Sequence, residues 1–535
     1  MSQRIQIQGF CDQAYELPAK NIAAQKCINL YPENIEASGE KVQTVLLGTP
    51  GLNLHAYLPT SSIVLSASPR QNGILNGSDG YQYIIAGSYL YKNDIVGIDN
   101  GLVIANPPAN FAAGSLGADG IGPILSGVGG TDHGPVSMRD NGIIGMVVDG
   151  ANYWVWTLAR ADLVPRKVSD AALTGGATHI AYMDGRFILN VKGTNTFQCS
   201  TLDWDGAQAF DFGAVGLLTA SADQSPDNIQ GLIVVGRDLW IFGTQSFEIW
   251  YDAGTSPFPF ARNISIAGQI GLYAPYSLAQ IQNTVFWLGS GVEGSGIIYR
   301  SNGYTPQRIS THAVEQAILG YTSIDDAIAF CYQEAGHSFY VITFQNADQT
   351  WVYDLSTEKW HQRLYRDTNT GLFTRWRPVA CGGFNGSNYV LDRITGYLKN
   401  AATGLTYQTA YLHKLDQNFY TDNGDPIERV RSTPHIWSQL DRVFYNRVEC
   451  DLEPGVGNTN DPDSNPLIKL RWSDDGGHTW SMPITVSMGK DGVYLQRMIW
   501  NRCGYSRNRV FEISTSAATP VRLLGLFADI DVGGG

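Results

Sequence analysis

The feature that most constrains this chain is a phrase of three short strands on two turns, which recurs with variation through its middle. At 283–310 it reads NTVFWLGSGVEGSGIIYRSNGYTPQRIS, and at 336–363 it reads GHSFYVITFQNADQTWVYDLSTEKWHQR. Each copy has an apolar run (285–288; 339–344), a polar Gly/Asn/Asp turn and a second run (297–300; 350–354). A tight turn and a short last strand follow. Three strands on two turns cannot bury their faces alone, so such units must stack. They read as blades of a β-propeller or a similar repeat array. Blade arrays are scaffolds, so function has to be sought elsewhere.

The same grammar is present on both sides of these copies. Residues 81–91 give two strands around Gly87-Ser88, and 142–158 two more around 149–152. Residues 179–190 turn at Asp184-Gly185, a strong hairpin dipeptide. Units at 230–251 and, more weakly, 379–397 complete the series. Equivalent turns recur every roughly 40–55 residues, the propeller range, which gives six or seven blade-like units. Residues 105–134 are too rich in Gly, Ala and Pro for regular structure and read as a surface loop. A helix is expected over 311–319, capped near Ser310, and a second short one from Ser323, with Asp326 completing a capping box. After about residue 410 the strands lengthen and alternate, at 430–454, 467–472 and 510–532. The expected fold is therefore all-β: a β-propeller over 61–410 and an antiparallel β platform or sandwich over 411–535. The non-repetitive strands of 1–60 are expected to contribute to that platform.

Composition agrees with short strands on glycine-rich turns. Of 535 residues, 59 are Gly and 60 are aromatic (27 Tyr + 20 Phe + 13 Trp), while only 16% are charged. This is too aromatic for disorder. The net charge of −13 makes a poor grip on phosphates and argues against sequence-specific nucleic-acid binding. A channel that DNA merely slides through tolerates such a wall. The seven cysteines are odd in number, scattered and without a C-x-x-C pair. Buried thiols in a protein assembled in a reducing cytoplasm are expected, not a disulfide framework or a zinc site. The opening MSQRIQIQGF has no basic segment followed by an apolar one, and no apolar run nears membrane-spanning length. Neither a signal peptide nor a membrane anchor is expected.

Each chemical motif has a plainer structural reading. Ser473, Asp475, Gly477 and Trp480 fit S-x-D-x-G-x-T-W, the Asp-box of sialidases and related propellers. Its logic is local: the Asp accepts turn N–H bonds, a Gly takes positive φ and the Trp packs under the hairpin. It marks a fold element, not an activity. A sialidase needs several such boxes, an arginine cluster and a Tyr–Glu nucleophile pair. Arg471, Arg497, Arg502, Arg507 and Arg509 lie close in sequence, but solvated strands explain them equally well. Residues 461–465 mimic the start of a calcium loop without its Gly or distal Glu, so a solvated turn is expected. The glycines at 289–296 are spaced as in a phosphate loop, but no helix follows, and hairpin chemistry is preferred. The nine histidines include no H-x-x-x-H pair, and no serine lies in a G-x-S-x-G context. No catalytic residue, metal site or cofactor is expected. Pro257-Phe258-Pro259-Phe260 cannot continue a sheet yet carries two large rings. Phe258 and Phe260 either tuck under the next blade or form a contact loop that anchors a neighbouring subunit.

Whole phrases resemble one family: INLYPE with Asn29, Tyr31 and Pro32, GTPGL with Gly48, Pro50 and Gly51, SPFPFAR at 256–262, the 283–310 block, GHSFYVITF and RWSDDGGHTWS. Together they are similar to the packaged-DNA stabilisation proteins, or tail hub and nozzle proteins, of short-tailed bacteriophages. The resemblance implies a β-propeller joined to a β-rich platform and no catalytic residues. It implies a homohexamer below the portal and its head-to-tail adaptor, continuing the channel through which genomic double-stranded DNA leaves. It also implies retention of packaged DNA, a tail needle or plug, attached tailspikes or fibres, and a place in the virion tail after assembly in the host bacterial cytoplasm. The competing reading is a carbohydrate-binding or sialidase-like propeller, supported by the Asp-box. A secreted kelch-like interaction module is a third, against which the missing signal peptide counts.

Overall fold

The computed structural model describes residues 3–36, 43–62, 69–86, 89–93, 134–158, 166–168, 175–204, 218–291, 294–399, 406–458 and 464–533. Most of the glycine-rich 105–134 segment and part of the calcium-like 461–465 segment lie outside them.

Among the described residues, seven small antiparallel units succeed one another, the last two as parts of larger sheets. Blade 1 has strands Pro69–Asn76, Gln82–Ala86 and Tyr89–Asn93. Blade 2 runs from Ser137–Asp140 to Arg166–Lys167, blade 3 from Ile180–Met183 to Thr219–Ser221, and blade 4 from Ile229–Val235 to Phe260–Gly268. Blade 5 has inner strand Ala279–Ile281 followed by Thr284–Gly291, Gly294–Asn302 and Thr305–Arg308. Blade 6 has Ile328–Glu334, His337–Phe344, Gln349–Asp354 and Lys359–Gln362. The inner strand of blade 7, Pro378–Phe384, lies against that of blade 1, which closes the ring. The two phrases at 283–310 and 336–363 are thus the three outer strands of blades 5 and 6, each preceded by an inner strand.

The apolar runs follow from stacking. In Thr284–Gly291, Val285 and Trp287 face blade 4, while Phe286 and Leu288 face blade 6. In His337–Phe344, Tyr340 and Ile342 face blade 5, while Phe339 and Val341 face blade 7. A strand buried on both sides needs apolar residues at consecutive positions, not alternate ones. The turns use left-handed backbone where hairpins require it: Asp184 and Gly185 have φ of 45° and 80°.

Blade 7 is assembled from distant segments. Thr406–Asp416 pairs with Ser387–Asp392 on one side and along Gly51–Ser62 on the other. Gly51–Ser62 therefore belongs to the propeller, as do Thr421–Asp422 and Asp425–Pro426, which extend the same sheet. The sheet of blade 7 therefore crosses the boundaries expected at 60/61 and 410/411, because a strand from before the repeats pairs with one from after them.

The remaining strands form a sandwich. One sheet runs Met498–Asn501, Arg442–Leu452, Arg522–Gly533, Thr44–Gly48, Leu30–Asn34, with Gln3–Gln6 also paired to Arg522–Gly533. The other runs Cys27–Ile28, Arg429–Ser432, Asn508–Thr515, Leu467–Ser473, Ile484–Ser487. Along Arg442–Leu452 the inward residues are Val443 and Tyr445, then Val448, Cys450 and Leu452. A bulge between Tyr445 and Arg447 accounts for the change from odd to even positions. Cys27–Ile28 pairs in parallel with the outer strand of blade 6 through Ile28 and Gln362, so propeller and sandwich share one continuous sheet.

The helix is His312–Leu319, capped by Thr311, whose Oγ1 accepts from Val314 N. The expected cap at Ser310 instead donates from its hydroxyl to Glu315 at 2.6 Å. The helix expected from Ser323 is absent, because the Asp326 carboxylate caps the Asn346 N–H across a loop and not its own N-terminus.

Gly51 tests the latch. A Cβ there would lie 2.4 Å from the carbonyl oxygens of Phe419 and Thr421, which are backbone and cannot swing aside. Gly51→Ala is expected to lower stability by about 1–3 kcal/mol, read from the urea midpoint.

Candidate functional site

The family-phrase residues converge where propeller meets sandwich. Asn29 follows the strand that joins the two and is buried, with φ of 56°, a conformation Asn tolerates better than most residues. Its side-chain amide donates to the carbonyls of Leu364 and Glu428, both at 2.8 Å, and its Oδ1 accepts from Leu364 N at 2.9 Å. Its own N–H donates to Gln362 O, and its C=O accepts from Thr49 N. One residue thus ties blade 6, the strand leading to the sandwich and the GTPGL segment. Pro32 sits on Leu30–Asn34, the edge strand of its sheet, where a missing N–H is tolerated. Gly48 is required by Arg429: a Cβ would come 2.7 Å from its Nε. Pro50 offers its carbonyl to the buried Arg363, whose guanidinium also stacks 3.5 Å from the Trp376 ring.

Tyr31 packs edge-on against His337 and Phe339, with centroids 5.2 and 5.5 Å away. His337 donates from Nδ1 to Asp354 at 2.7 Å and from Nε2 to Glu33. Two carboxylate partners favour the doubly protonated ring. The Asp354 hydrogen bond, with the charges of Asp354 and Glu33, raises its pKa against the opposing effect of burial. Nearby His361 has no such partners, and burial pushes it down to about 3. In sequence these two histidines only bracket a blade. The Glu33 link was missed because its partner lies far along the chain.

The Asp-box is an intact turn. Asp475 accepts from the Ser473 hydroxyl at 2.6 Å, from His478 N at 3.0 Å, and from Thr479 N and Oγ1 at 2.8 and 2.6 Å. These bonds hold its carboxyl well below the usual range. Gly477 has φ of 99° and donates to Ser473 Oγ. Trp480 is half-buried between the cations of Arg471 and Lys26. The turn carries the N-terminal segment: a Cβ on Gly476 would strike Asn21, and one on Gly477 would touch Ala24.

The arginines near it do not converge. Arg471 pairs with Glu512, Arg497 with Glu449, and Arg509 with Asp474 through two bonds of 2.6 and 2.8 Å. Arg507 donates to the Leu440 carbonyl. Arg509 is buried, stacked near Tyr445 and Trp472, so it is not the solvated strand residue expected.

Phe258 and Phe260 pack within their own chain. Phe260 is buried and opens the outer strand of blade 4, so the segment does re-enter a sheet at that point. Phe258 meets Phe197 of blade 3 edge-on at 5.6 Å. The loop tucks against the preceding blade and not the next one. The glycines at 289–296 flank the Thr284–Gly291/Gly294–Asn302 hairpin. Among the described residues, no group of three or more His, Cys, Asp and Glu could hold a metal ion, and no helix is long and apolar enough to cross a membrane.

A latched propeller fused through a shared sheet to a β-sandwich defines a scaffold class whose ordered polar clusters serve the fold. Two family patterns match in succession: bacteriophage P22 Gp10, beta-propeller, over residues 23–403, and bacteriophage P22 Gp10, beta-sandwich, over 428–531. The chain belongs to this family, the tail hub and DNA-stabilisation proteins of podoviruses, and is a structural protein of the phage tail. No curated protein matches its sequence. Among solved structures it is similar to the extracellular domain of a putative hybrid two-component system from B. thetaiotaomicron (11% identity, TM-score 0.37). That match covers 77% of this chain and 43% of the other. It is also similar to a functionally unknown protein from Desulfotomaculum acetoxidans (12% identity, 58% and 89% covered, TM-score 0.34).

The junction is open to test at two residues. Asn29→Gly keeps the backbone conformation but loses the side-chain bonds, and is expected to cost about 2 kcal/mol. Asn29→Ala adds the left-handed strain, roughly 1 kcal/mol more, and denaturant unfolding of both variants checks the order. The His337 pKa is raised on folding, so its contribution is fully present below the ordinary value of 6.5 and is lost as pH rises through the folded value. Amide exchange in Leu30–Asn34 should therefore accelerate as pH rises through that value, beyond the intrinsic pH effect, and His337→Gln should remove that excess.

Proposed function

We propose that this chain is the subunit of a hexameric tail hub that continues the portal–adaptor DNA channel, retains packaged DNA and anchors the tail needle or plug and the tailspikes or fibres. The observation that carries this reading is the succession of both family patterns along one chain, over 23–403 and 428–531. The net charge of −13 supports it, since a channel wall must let DNA pass without holding it. In this reading DNA meets no sequence-specific contact, and assembly takes place in the host cytoplasm.

The sandwich has side chains that a ring would cover. Met482, 85% exposed, precedes the edge strand Ile484–Ser487 of one sheet, and Leu495, 94% exposed, precedes the edge strand Met498–Asn501 of the other. Exposed apolar side chains next to open strand edges suit a second copy of the chain. The carbohydrate-binding alternative loses support from the arginines: Arg471, Arg497 and Arg509 are already neutralised by Glu512, Glu449 and Asp474.

Negative-stain electron microscopy and native mass spectrometry of the full chain are expected to show a six-fold ring around a channel. Leu495→Asp is expected to shift the population toward monomer at unchanged unfolding midpoint. A monomer at all concentrations, also in the presence of portal and adaptor, would overturn the hub reading.

A further inference from the structure

The inner strands of all seven blades line a cavity of about 210 Å³ on the propeller axis. Its wall includes Arg139, on the inner strand of blade 2, with His179, Tyr276, Gln280, Cys331 and Cys381. Arg139 donates from Nη1 to the carbonyl of Met138 at 2.7 Å and forms no ion pair among the described residues. The charge of its neighbour Asp140 acts on it at a distance and raises its pKa, while Asp140 Oδ1 accepts from the N–H and hydroxyl of Ser78 and from Gly142 N. Burial lowers the Arg139 pKa.

His179, Cys331 and Cys381 on this wall are neutral. His179 has both ring nitrogens engaged, with Thr178 Oγ1 and Pro275 O each at 3.0 Å, and burial pushes it down to about 4. Burial raises the thiols of Cys331 and Cys381. The wall therefore carries one positive charge. An arginine cannot shed its proton at working pH, and a desolvated cation is stabilised by a counter-charge.

We propose that the axial cavity binds a small organic monocarboxylate, held by the Arg139 guanidinium with its carbon body against Tyr276 and the apolar inner-strand side chains. A guanidinium fork matches a carboxylate in two parallel bonds. The volume is several times the about 30 Å³ occupied by one water, so a single-atom anion would leave it largely unfilled. One cation balances one negative charge, which disfavours phosphate. Ile74, Ile180 and Leu232 supply apolar surface for a short hydrocarbon.

The test titrates the full chain with sodium propionate, sodium phosphate and sodium chloride at matched ionic strength, following Tm. Propionate is expected to raise Tm saturably and chloride is not. Arg139→Gln should weaken the propionate response at least tenfold, and Arg139→Lys should retain part of it. A response shared by chloride, phosphate saturating at equal or lower concentration, or an unchanged response in Arg139→Gln would each overturn the proposal. Should Arg139→Gln fail to fold, alkylation of wild-type Cys331 and Cys381, read by peptide mass spectrometry, decides. Propionate is expected to slow it relative to chloride, and equal rates overturn the assignment.

Discussion

The structure depends on the short ladder in which Cys27–Ile28 lies between Lys359–Gln362 of blade 6 and Arg429–Ser432 of the sandwich. Without this strand both elements would present open edges to solvent. The ladder is too short to be stable by its own hydrogen bonds, and buried side chains secure it. Asn29 meets the backbone of both flanking segments. Arg431 is fully buried and donates to the carbonyls of Gly9, Phe10, Gln13 and Lys26, fastening the N-terminal segment onto the sandwich. Arg377 reaches Asp392, Asp425 and the Asp422 carbonyl, holding the late strands of blade 7 to its centre.

These arginines explain the glycine and proline phrases around them. A guanidinium buried among carbonyls needs backbone brought close to it, and a side chain at Gly48 would prevent the approach of Arg429, while one at Gly51 would strike the Phe419 and Thr421 carbonyls. The phrases GTPGL and INLYPE are the backbone half of a junction whose side-chain half, Arg363 and Arg429, lies hundreds of residues later.

Much of this was legible in local sequence. Asp184-Gly185 specified a hairpin through φ preference alone, and the run VFWL specified a strand of a blade. The Asp-box was legible because every bond of Asp475 lies within four residues. What was not legible was pairing between distant segments. Gly51–Ser62 looks like any alternating strand, and nothing in it announces Thr406–Asp416 as its partner. The axial cavity was hidden for the same reason: each inner strand contributes only a few ordinary residues, and Arg139 becomes unusual only when seven strands surround it. Phe258 and Phe260 left two readings open because an exposed and a tucked loop share one composition. Within the chain, the loop packs on Phe197 of another blade.

The same long-range pairing orders the folding of the two halves. Blade 7 joins Gly51–Ser62, made early, to Thr406–Asp416, made late, so the propeller cannot close until most of the chain exists. The sandwich joins Gln3–Gln6 to Arg522–Gly533 and waits still longer. Contacts of such sequence separation carry a high loop-closure cost and form slowly. The exposed side chains Met482 and Leu495 belong to the part completed last. In a ring reading this order has a use: the surface that recruits further copies takes shape only after the propeller to be carried is latched.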